Sequence, residues 1–259
     1  MDSVSVLALF DQQLRRNLRG GGPDDRVERV GDVVRLVGAG GAGWCGVVWS
    51  DLDAGTADAA IAGQVRYFTE LGREFEWKLY SHDLPDDLGE RLVKAGFAAE
   101  EPESLMVGEV AVQAKDVVLP PGVRIERVTD AAGVALMVRA HDVAFGRPSP
   151  RMEQQLLREV AEEPDSMIAL VVMAGDEPVC GSRLELHQGT AFASLWGGGT
   201  VPQWRGKGVY KATVAYRARI AAELGFRYLQ VDASDDSRPI LGRLGFERLS
   251  ITTPYVYEP

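Results

Sequence analysis

Residues 200–210 read Thr-Val-Pro-Gln-Trp-Arg-Gly-Lys-Gly-Val-Tyr and join two segments of opposite character. Before them lie an apolar run at 192–196 and three successive glycines, and after them an amphipathic helical pattern extends over 209–224. This order predicts a strand, a loop and a helix. Because glycines flank a lysine where the helix begins, backbone N–H groups and the positive end of the helix dipole face a ligand there. The expected ligand group is a phosphate.

Two common phosphate-binding motifs do not fit this segment. A Walker loop needs a glycine five positions before Gly206, where Val201 stands, and a hydroxyl residue where Gly208 stands. A dinucleotide-binding fingerprint needs a third glycine at Lys211, and only its acidic residue could be supplied, by Asp232. Neither an ATPase loop nor a Rossmann loop is therefore predicted here.

The remaining pattern, Val-Pro-x-x-Arg-Gly-Lys-Gly-Val-x, resembles the coenzyme A-binding segment of the GCN5-related N-acetyltransferase (GNAT) superfamily. The family motif is Arg or Gln, two residues, Gly, one residue, then Gly or Ala. Arg205, Gly208 and Tyr210 take these places, and Tyr210 departs from the small residue expected last. A second register that starts at Gln203 also fits the motif, but the offset from Pro202 favours the first.

The resemblance extends over 122–259, because later segments also occur in the family order. Residues 226–233 predict a buried strand, and Leu244-Gly245-Phe246 resembles the turn that follows the last helix of the family. The resemblance implies an α+β fold, in which a mixed, mostly antiparallel sheet is flanked by helices.

An internal repeat is predicted, because residues 75–97 parallel residues 226–246 in type and nearly in length. We therefore expect two tandem GNAT-like domains, at 1–113 and 123–259, joined by a linker at 114–122 that contains Pro-Pro-Gly. The N-terminal copy has Trp-Ser-Asp-Leu-Asp where the glycine loop would stand. It is expected to have a structural role and not to bind coenzyme A.

A second glycine-rich run at 38–43 matches G-x-G-x-x-G literally. The fingerprint requires a helix after it, and residues 44–49 are β-branched and aromatic instead. A hairpin turn is predicted there. Amphipathic spacing elsewhere predicts helices at 3–18, 56–71, 131–145 and 152–162.

The composition is that of a globular protein, with 46% hydrophobic and 25% charged residues. The net charge of −10 disfavours nucleic acid as a partner and favours a cationic amine. No apolar run approaches the roughly 20 residues of a membrane span, and residues 1–10 have no basic region typical of a signal peptide. Cys45 and Cys180 are expected to be buried and inert, and the three histidines lack ligand spacing, so no metal site and a cytoplasmic location are predicted.

The resemblance implies that acetyl-CoA is the co-substrate. Its pyrophosphate would contact the loop, and its peptide-like pantetheine arm would pair with the preceding strand, where glycines indicate a bulge. Ser234 stands where the family often has an asparagine that contacts pantetheine. The candidate cofactor-binding residues are Gly199, Thr200, Val201, Arg205, Gly206, Lys207, Gly208, Val209, Tyr210 and Ser234.

The acid and base of the reaction are less defined by the sequence. The strand before the loop lacks the glutamate of many family members, and Leu241 replaces the tyrosine that serves as general acid. Three residues are candidate catalytic bases, and each also fits an ordinary polar strand position: Glu185, His187 and Asp232. Three tyrosines are candidate replacement acids: Tyr210, Tyr255 and Tyr257.

Two functional hypotheses follow from these residues. The first is an acetyl-CoA-dependent N-acetyltransferase that acts on a small-molecule or peptide amine by direct attack, with the C-terminal copy active. The second is a non-catalytic acyl-CoA-binding or protein-interaction module that keeps the loop without its acid and base. A tandem chain can form the pseudo-dimer of single-copy relatives by itself, so a monomer is expected.

Overall fold

The computed structural model describes residues 1–20, 24–40, 43–162 and 165–259. The chain divides into two compact units. The first unit comprises Met1–Met106, Asp232–Ile240 and Glu247–Pro259, and the second comprises Val107–Val231 and Leu241–Phe246. The domain boundary predicted at 114–122 stays a prediction. The two compact units have other bounds, because the last strand of the chain belongs to the unit that contains the N-terminal strands.

The fold is a mixed α+β structure, as predicted. The helices are α1 (Ser3–Phe10), α2 (Ala57–Glu70), α3 (Leu88–Lys94), α4 (Val110–Gln113), α5 (Ala131–Phe145), α6 (Pro150–Glu162), α7 (Val209–Glu223) and α8 (Arg238–Leu244). The strands are β1 (Arg26–Val30), β2 (Val33–Val37), β3 (Cys45–Ser50), β4 (Phe75–Tyr80), β5 (Ala98–Ala99), β6 (Glu103–Glu109), β7 (Val123–Val128), β8 (Met167–Ala174), β9 (Glu177–Leu186), β10 (Phe192–Thr200), β11 (Tyr228–Ala233) and β12 (Glu247–Tyr257). No helix among the described residues has the length and apolar character needed to span a membrane.

In the first unit, the strand order β1-β2-β3-β4-β12 includes one parallel pair, β3 with β4. Helix α2 connects these two strands and buries residues at helical spacing against them, including Ile61 and Phe68. The ring of Phe68 stacks on that of Phe75 at a centroid distance of 4.2 Å. The predicted opening helix at 3–18 forms α1 and continues as a π-helical segment, Asp11–Arg16.

In the second unit, the order β11-β10-β9-β8-β7 is antiparallel except for the parallel pair of β10 and β11, which α7 connects. Helix α5 covers the predicted range 131–145. It begins because the Asp130 side chain accepts a hydrogen bond from Gly133 N, and it ends at Gly146, whose φ of 72° suits glycine. The predicted helix at 152–162 is also present, as α6.

The predicted internal repeat is confirmed by the way α3 and α8 end. Gly96 and Gly245 follow the two helices with φ values of 101° and 98°. The next residues, Phe97 and Phe246, donate backbone hydrogen bonds of 3.1 and 3.0 Å to the carbonyls five positions earlier. This hydrogen-bond pattern is typical of a helix that ends at a left-handed glycine. Each unit also contains the same strand–helix–strand connection with parallel strands.

The glycine-rich run at 38–43 connects antiparallel strands, β2 and β3, as predicted for a hairpin. Gly38 N donates to Trp44 O at 3.0 Å, and residues 41 and 42 of the run lie outside the described residues. A strand follows the run, so the helix required by a dinucleotide-binding loop is not formed. The two cysteines are buried, as expected, and neither forms a disulfide.

Candidate functional site

Strands β10 and β11 separate along their length and leave an open edge. They pair from Phe192 with Tyr228 to Ser194 with Gln230, and among the described residues the pairing ends there. Strand β10 continues to Thr200, and its register with β9 shifts between Trp196 and Gly199. A bulge of this kind bends a strand. Beyond Ser194 the edge of β10 on the side of β11 is therefore not covered by that strand and is open to a peptide-like ligand.

The loop after β10 ends in a helix terminus without a side-chain cap. Gly206 and Gly208 have φ values of 73° and 81°, and Gly208 is the N-cap residue of α7. Within the described ranges, the backbone N–H groups of Gly206, Lys207 and Gly208 donate to no protein acceptor. Unpaired N–H groups at the positive end of a helix dipole form an anion-binding site. The geometry suits a phosphate.

Two basic residues of the loop have different surroundings. Arg205 donates from Nε to Thr200 O at 3.1 Å and from Nη2 to Ala144 O at 2.9 Å. It therefore ties the loop to the end of β10 and to α5. Lys207 is exposed, and its Nζ lies 4.4 Å from the centre of the Trp204 ring, a cation–π distance.

Both ends of the loop are anchored in the core of the second unit. Val201 and Val209 are buried in one hydrophobic cluster, and Val201 N donates to Val179 O at 3.0 Å. Gly199 packs so closely on Phe145 that a Cβ would lie 2.5 Å from the ring. Burial raises the pKa of Tyr210, whose ring fills the space beside the β10 glycines.

Two of the three candidate bases lie in the second unit. Glu185 has a side chain 30% exposed, and its Oε1 accepts from Arg183 Nε at 3.0 Å. His187 Nε2 lies 2.5 Å from Ser194 Oγ, which also accepts from Gln230 Nε2 at 2.7 Å. Burial lowers the pKa of His187. His187 is neutral near pH 7 and occupied by an internal hydrogen bond, whereas Glu185 is accessible.

The third candidate, Asp232, belongs to the first unit and is 2% exposed. Its Oδ2 forms an ion pair with the Lys78 ammonium group. Burial alone would lower the pKa of Lys78, but Asp232, with smaller contributions from Tyr80 and Glu76, outweighs burial and raises that pKa. Burial and then Asp232 also raise the pKa of Glu103, to about 7. The Asp232 side chain is therefore buried and engaged by Lys78 inside the first unit.

The raised pKa of Glu103 predicts a pH dependence of stability. The pKa of Glu103 in the folded state lies above that of an unfolded glutamate. The favourable contribution of protonated Glu103 to the free energy of unfolding is therefore present below about pH 4.5 and is lost as pH rises through about 7. We expect Glu103→Gln to leave the free energy of unfolding nearly unchanged at pH 5 and to increase it at pH 8. Urea unfolding at both pH values measures this. Equal effects at the two pH values would contradict the prediction.

The other predicted positions are distributed over both units. Ser234 lies in the first unit, in the turn that begins α8, and its carbonyl accepts from Arg238 N at 2.9 Å. Leu241, which stands where the family has its tyrosine, is fully buried. Tyr255 and Tyr257 pack against the hydrophobic core of the first unit.

Among the described residues of the first unit there is no counterpart of the glycine loop, because a carboxylate occupies the equivalent helix terminus. Asp53 Oδ1 accepts from Gly55 N at 2.8 Å and from Thr56 N at 2.9 Å, at the start of α2. In this unit a side-chain anion therefore takes the N–H groups that a phosphate would need.

A buried charged residue that the sequence analysis did not single out is Arg217, on the buried face of α7. A signal was present, because this arginine lies at helical spacing from the buried Thr213 and Ala221. An arginine on the apolar face of an amphipathic helix requires partners inside the protein.

Solved structures with the GNAT fold resemble the whole chain. A GCN5-related N-acetyltransferase from Kribbella flavida has a TM-score of 0.69 at 18% identity and covers 100% of this chain and 96% of its own. A GCN5-related N-acetyltransferase from Sphaerobacter thermophilus has a TM-score of 0.60 at 14% identity. The match covers 88% of this chain and 76% of that protein. A tandem GNAT protein from the clavulanic acid biosynthesis pathway has a TM-score of 0.60 at 12% identity. The match covers 93% of this chain and 86% of that protein.

No protein-family model and no curated protein sequence matches the chain. At these identities the structural likeness defines the fold. The chain has the fold of the GCN5-related N-acetyltransferases, of the tandem type.

Proposed function

We propose that the chain is an acetyl-CoA-dependent N-acetyltransferase whose donor site lies in the second unit. One observation carries the proposal: the open edge of β10 leads directly into the uncapped N-terminus of α7. A ligand with amide groups next to a pyrophosphate matches both parts of this surface, and coenzyme A has that order of groups. The GNAT fold supports the same assignment.

The donor would bind mainly to backbone groups. The N–H groups from Gly206 to Tyr210 would hold the pyrophosphate, with Lys207 at the rim and Arg205 keeping the loop in shape. The β10 edge from Gly197 to Thr200 would pair with the pantetheine arm. An N–H group on this edge would also stabilise negative charge on the donor carbonyl as an amine attacks it.

Glu185 is the base that the surroundings favour. Its Oε1 pairs with Arg183, but the side chain is 30% exposed, whereas His187 contacts Ser194 and the Asp232 side chain is 2% exposed and pairs with Lys78. A protonated amine must lose a proton before or during attack on a thioester. Glu185 would accept that proton directly or through one water molecule.

The base assignment predicts the effect of Glu185→Gln. We expect kcat for acetyl transfer to fall by roughly 100-fold with the Kd for acetyl-CoA unchanged, because general-base catalysis contributes about 10²–10⁴ in rate. The matched control is Glu177→Gln, an exposed glutamate on the same strand. An unchanged kcat in Glu185→Gln would show that another group or water accepts the proton.

The reaction itself is tested by coenzyme A release from acetyl-CoA in the presence of polyamines, amino acids, aminoglycosides and peptides with free N-termini. The proposal expects release above background with one of these amine classes. The net charge of −10 favours a cationic acceptor.

A second candidate function is acyl-CoA binding without catalysis, and Leu241 favours it. This buried leucine cannot protonate a leaving thiolate, as the tyrosine of the family does. This second function predicts saturable binding of acetyl-CoA and no transfer of the acetyl group above background to any of the amine classes. Amine-dependent release of coenzyme A would exclude it.

A further inference from the structure

Arg217 is a buried cation whose protein partners are all backbone carbonyls. The residue is 1% exposed. Its Nε donates to Thr213 O at 3.1 Å, and its Nη1 donates to Arg183 O at 2.9 Å and lies 3.4 Å from Trp196 O. In the part of the chain that the structure describes, no carboxylate pairs with it and Nη2 has no partner. Burial lowers the pKa of Arg217, but an arginine remains charged at neutral pH.

The two strand carbonyls that Arg217 contacts lie at the bulge of β10. Arg183 pairs with Trp196, and the next pair is Gly181 with Gly199. Two β10 residues, Gly197 and Gly198, therefore lie opposite the single β9 residue between these pairs. A bulge disrupts the ladder locally and leaves backbone groups without their strand partners. The Nη1 group supplies a donor at this point.

The glycines of the bulge leave room for this contact. A Cβ built on Gly198 would lie 2.6 Å from Tyr210 Cε2 and 3.6 Å from Arg217 Nη2. A larger residue would therefore displace Tyr210 or the guanidinium. Arg217 and Tyr210 both come from α7, so one helix supplies the loop terminus and the groups that pack on the bulge.

Burying a guanidinium without a counter-ion is unfavourable, and an apolar residue at position 217 would avoid that cost. The hydrogen bonds at the bulge explain its presence. We propose that Arg217 is a positioning residue, which maintains the bulge and thereby the separation of β10 from β11 that admits the pantetheine arm. This inference rests on the proposed acyl-CoA site and adds a residue that contacts no ligand.

The test compares Arg217→Met with Arg219→Met, which removes an exposed arginine from the same helix. Two ligands are titrated: acetyl-CoA, and adenosine 3′,5′-bisphosphate, which has phosphates but no pantetheine arm. We expect Arg217→Met to raise the Kd for acetyl-CoA about tenfold and to leave the Kd for the bisphosphate within about twofold. Arg219→Met should change neither.

Amide hydrogen exchange without ligand provides a second readout. Residues 195–200 should exchange faster in Arg217→Met than in the wild type, because the bulge loses a donor. Arg217→Lys, which keeps the charge but not the planar fork, is measured in the same way and replaces the methionine variant if that variant does not fold. It should show the same ligand-dependent pattern to a smaller extent.

Three results would overturn the inference. Unchanged acetyl-CoA affinity with unchanged exchange would show that the bulge forms without Arg217. Equal loss of affinity for both ligands would show a general effect on the unit. Absence of acetyl-CoA binding in the wild type would refute the proposed function, and the positioning role would fail with it even if the exchange at 195–200 changed.

Discussion

Arg205→Glu is expected to raise the Kd for acetyl-CoA by roughly 100-fold or more, because it combines two unfavourable effects. The variant loses the hydrogen bonds from Arg205 to Thr200 O and Ala144 O that hold the loop. It also places a carboxylate next to the proposed pyrophosphate position. Isothermal titration at two salt concentrations measures the change, and the electrostatic part should decrease at high salt.

Arg205→Met separates these two effects. It removes the hydrogen bonds without adding a negative charge, so its affinity should lie between those of the wild type and the glutamate variant. Equal affinities for Arg205→Glu and the wild type would place the phosphates elsewhere and contradict the assignment of the loop.

Asp83→Ala is expected to destabilise the first unit more than any surface substitution. The Asp83 oxygens lie 2.8 and 2.6 Å from Arg15 Nη2, and both side chains are 3% exposed. The variant leaves the buried guanidinium of Arg15 without this carboxylate. Loss of one partner of a buried pair costs about 3–5 kcal/mol, which corresponds to a decrease of roughly 10 °C in the unfolding midpoint.

Differential scanning calorimetry tests this expectation, with Asp86→Ala as the control. Asp86 is exposed and three positions away in sequence, so its substitution should change the midpoint by about 1 °C or less. Equal midpoints for the two variants would show that the Arg15–Asp83 pair contributes little to stability.

Much of the fold followed from local sequence signals. Helix α5 was predicted from the amphipathic spacing of residues 131–145, and the internal repeat from the parallel segments 75–97 and 226–246, which end at Gly96-Phe97 and Gly245-Phe246. The π-helical segment after α1 was not predicted, because its hydrogen-bond pattern has no distinctive side-chain periodicity.

The pairing of β12 with β4 was also not predicted. Its register, from Thr252 with Tyr80 to Tyr257 with Phe75, joins residues far apart in the chain. Such pairing depends on tertiary packing that no local motif encodes. For the same reason the sequence did not place Asp232 next to Lys78, since these residues are also distant in sequence.

The sequence predicted the backbone features of the candidate site, but not the side-chain contacts that support them. The glycine positions required by the loop and the bulge were visible, because glycine is the residue that adopts positive φ without strain. Arg205 was a candidate from the motif, but its contact with Ala144 O and that of Arg217 with Arg183 O were not predicted, since these carbonyls are distant in sequence. Which acid or base candidates are occupied by internal partners also required the three-dimensional structure.

Binding of acetyl-CoA to the second unit can be measured by a thermal-shift titration of the full chain. Acetyl-CoA is titrated beside NADH and ATP, with the wild type and Arg205→Glu. A ligand that binds only the folded state adds about 2.7 kcal/mol at a hundred times its Kd, enough to raise the midpoint by several degrees. We expect saturable stabilisation of the wild type by acetyl-CoA alone. No shift with acetyl-CoA, or a shift with NADH instead, would contradict it.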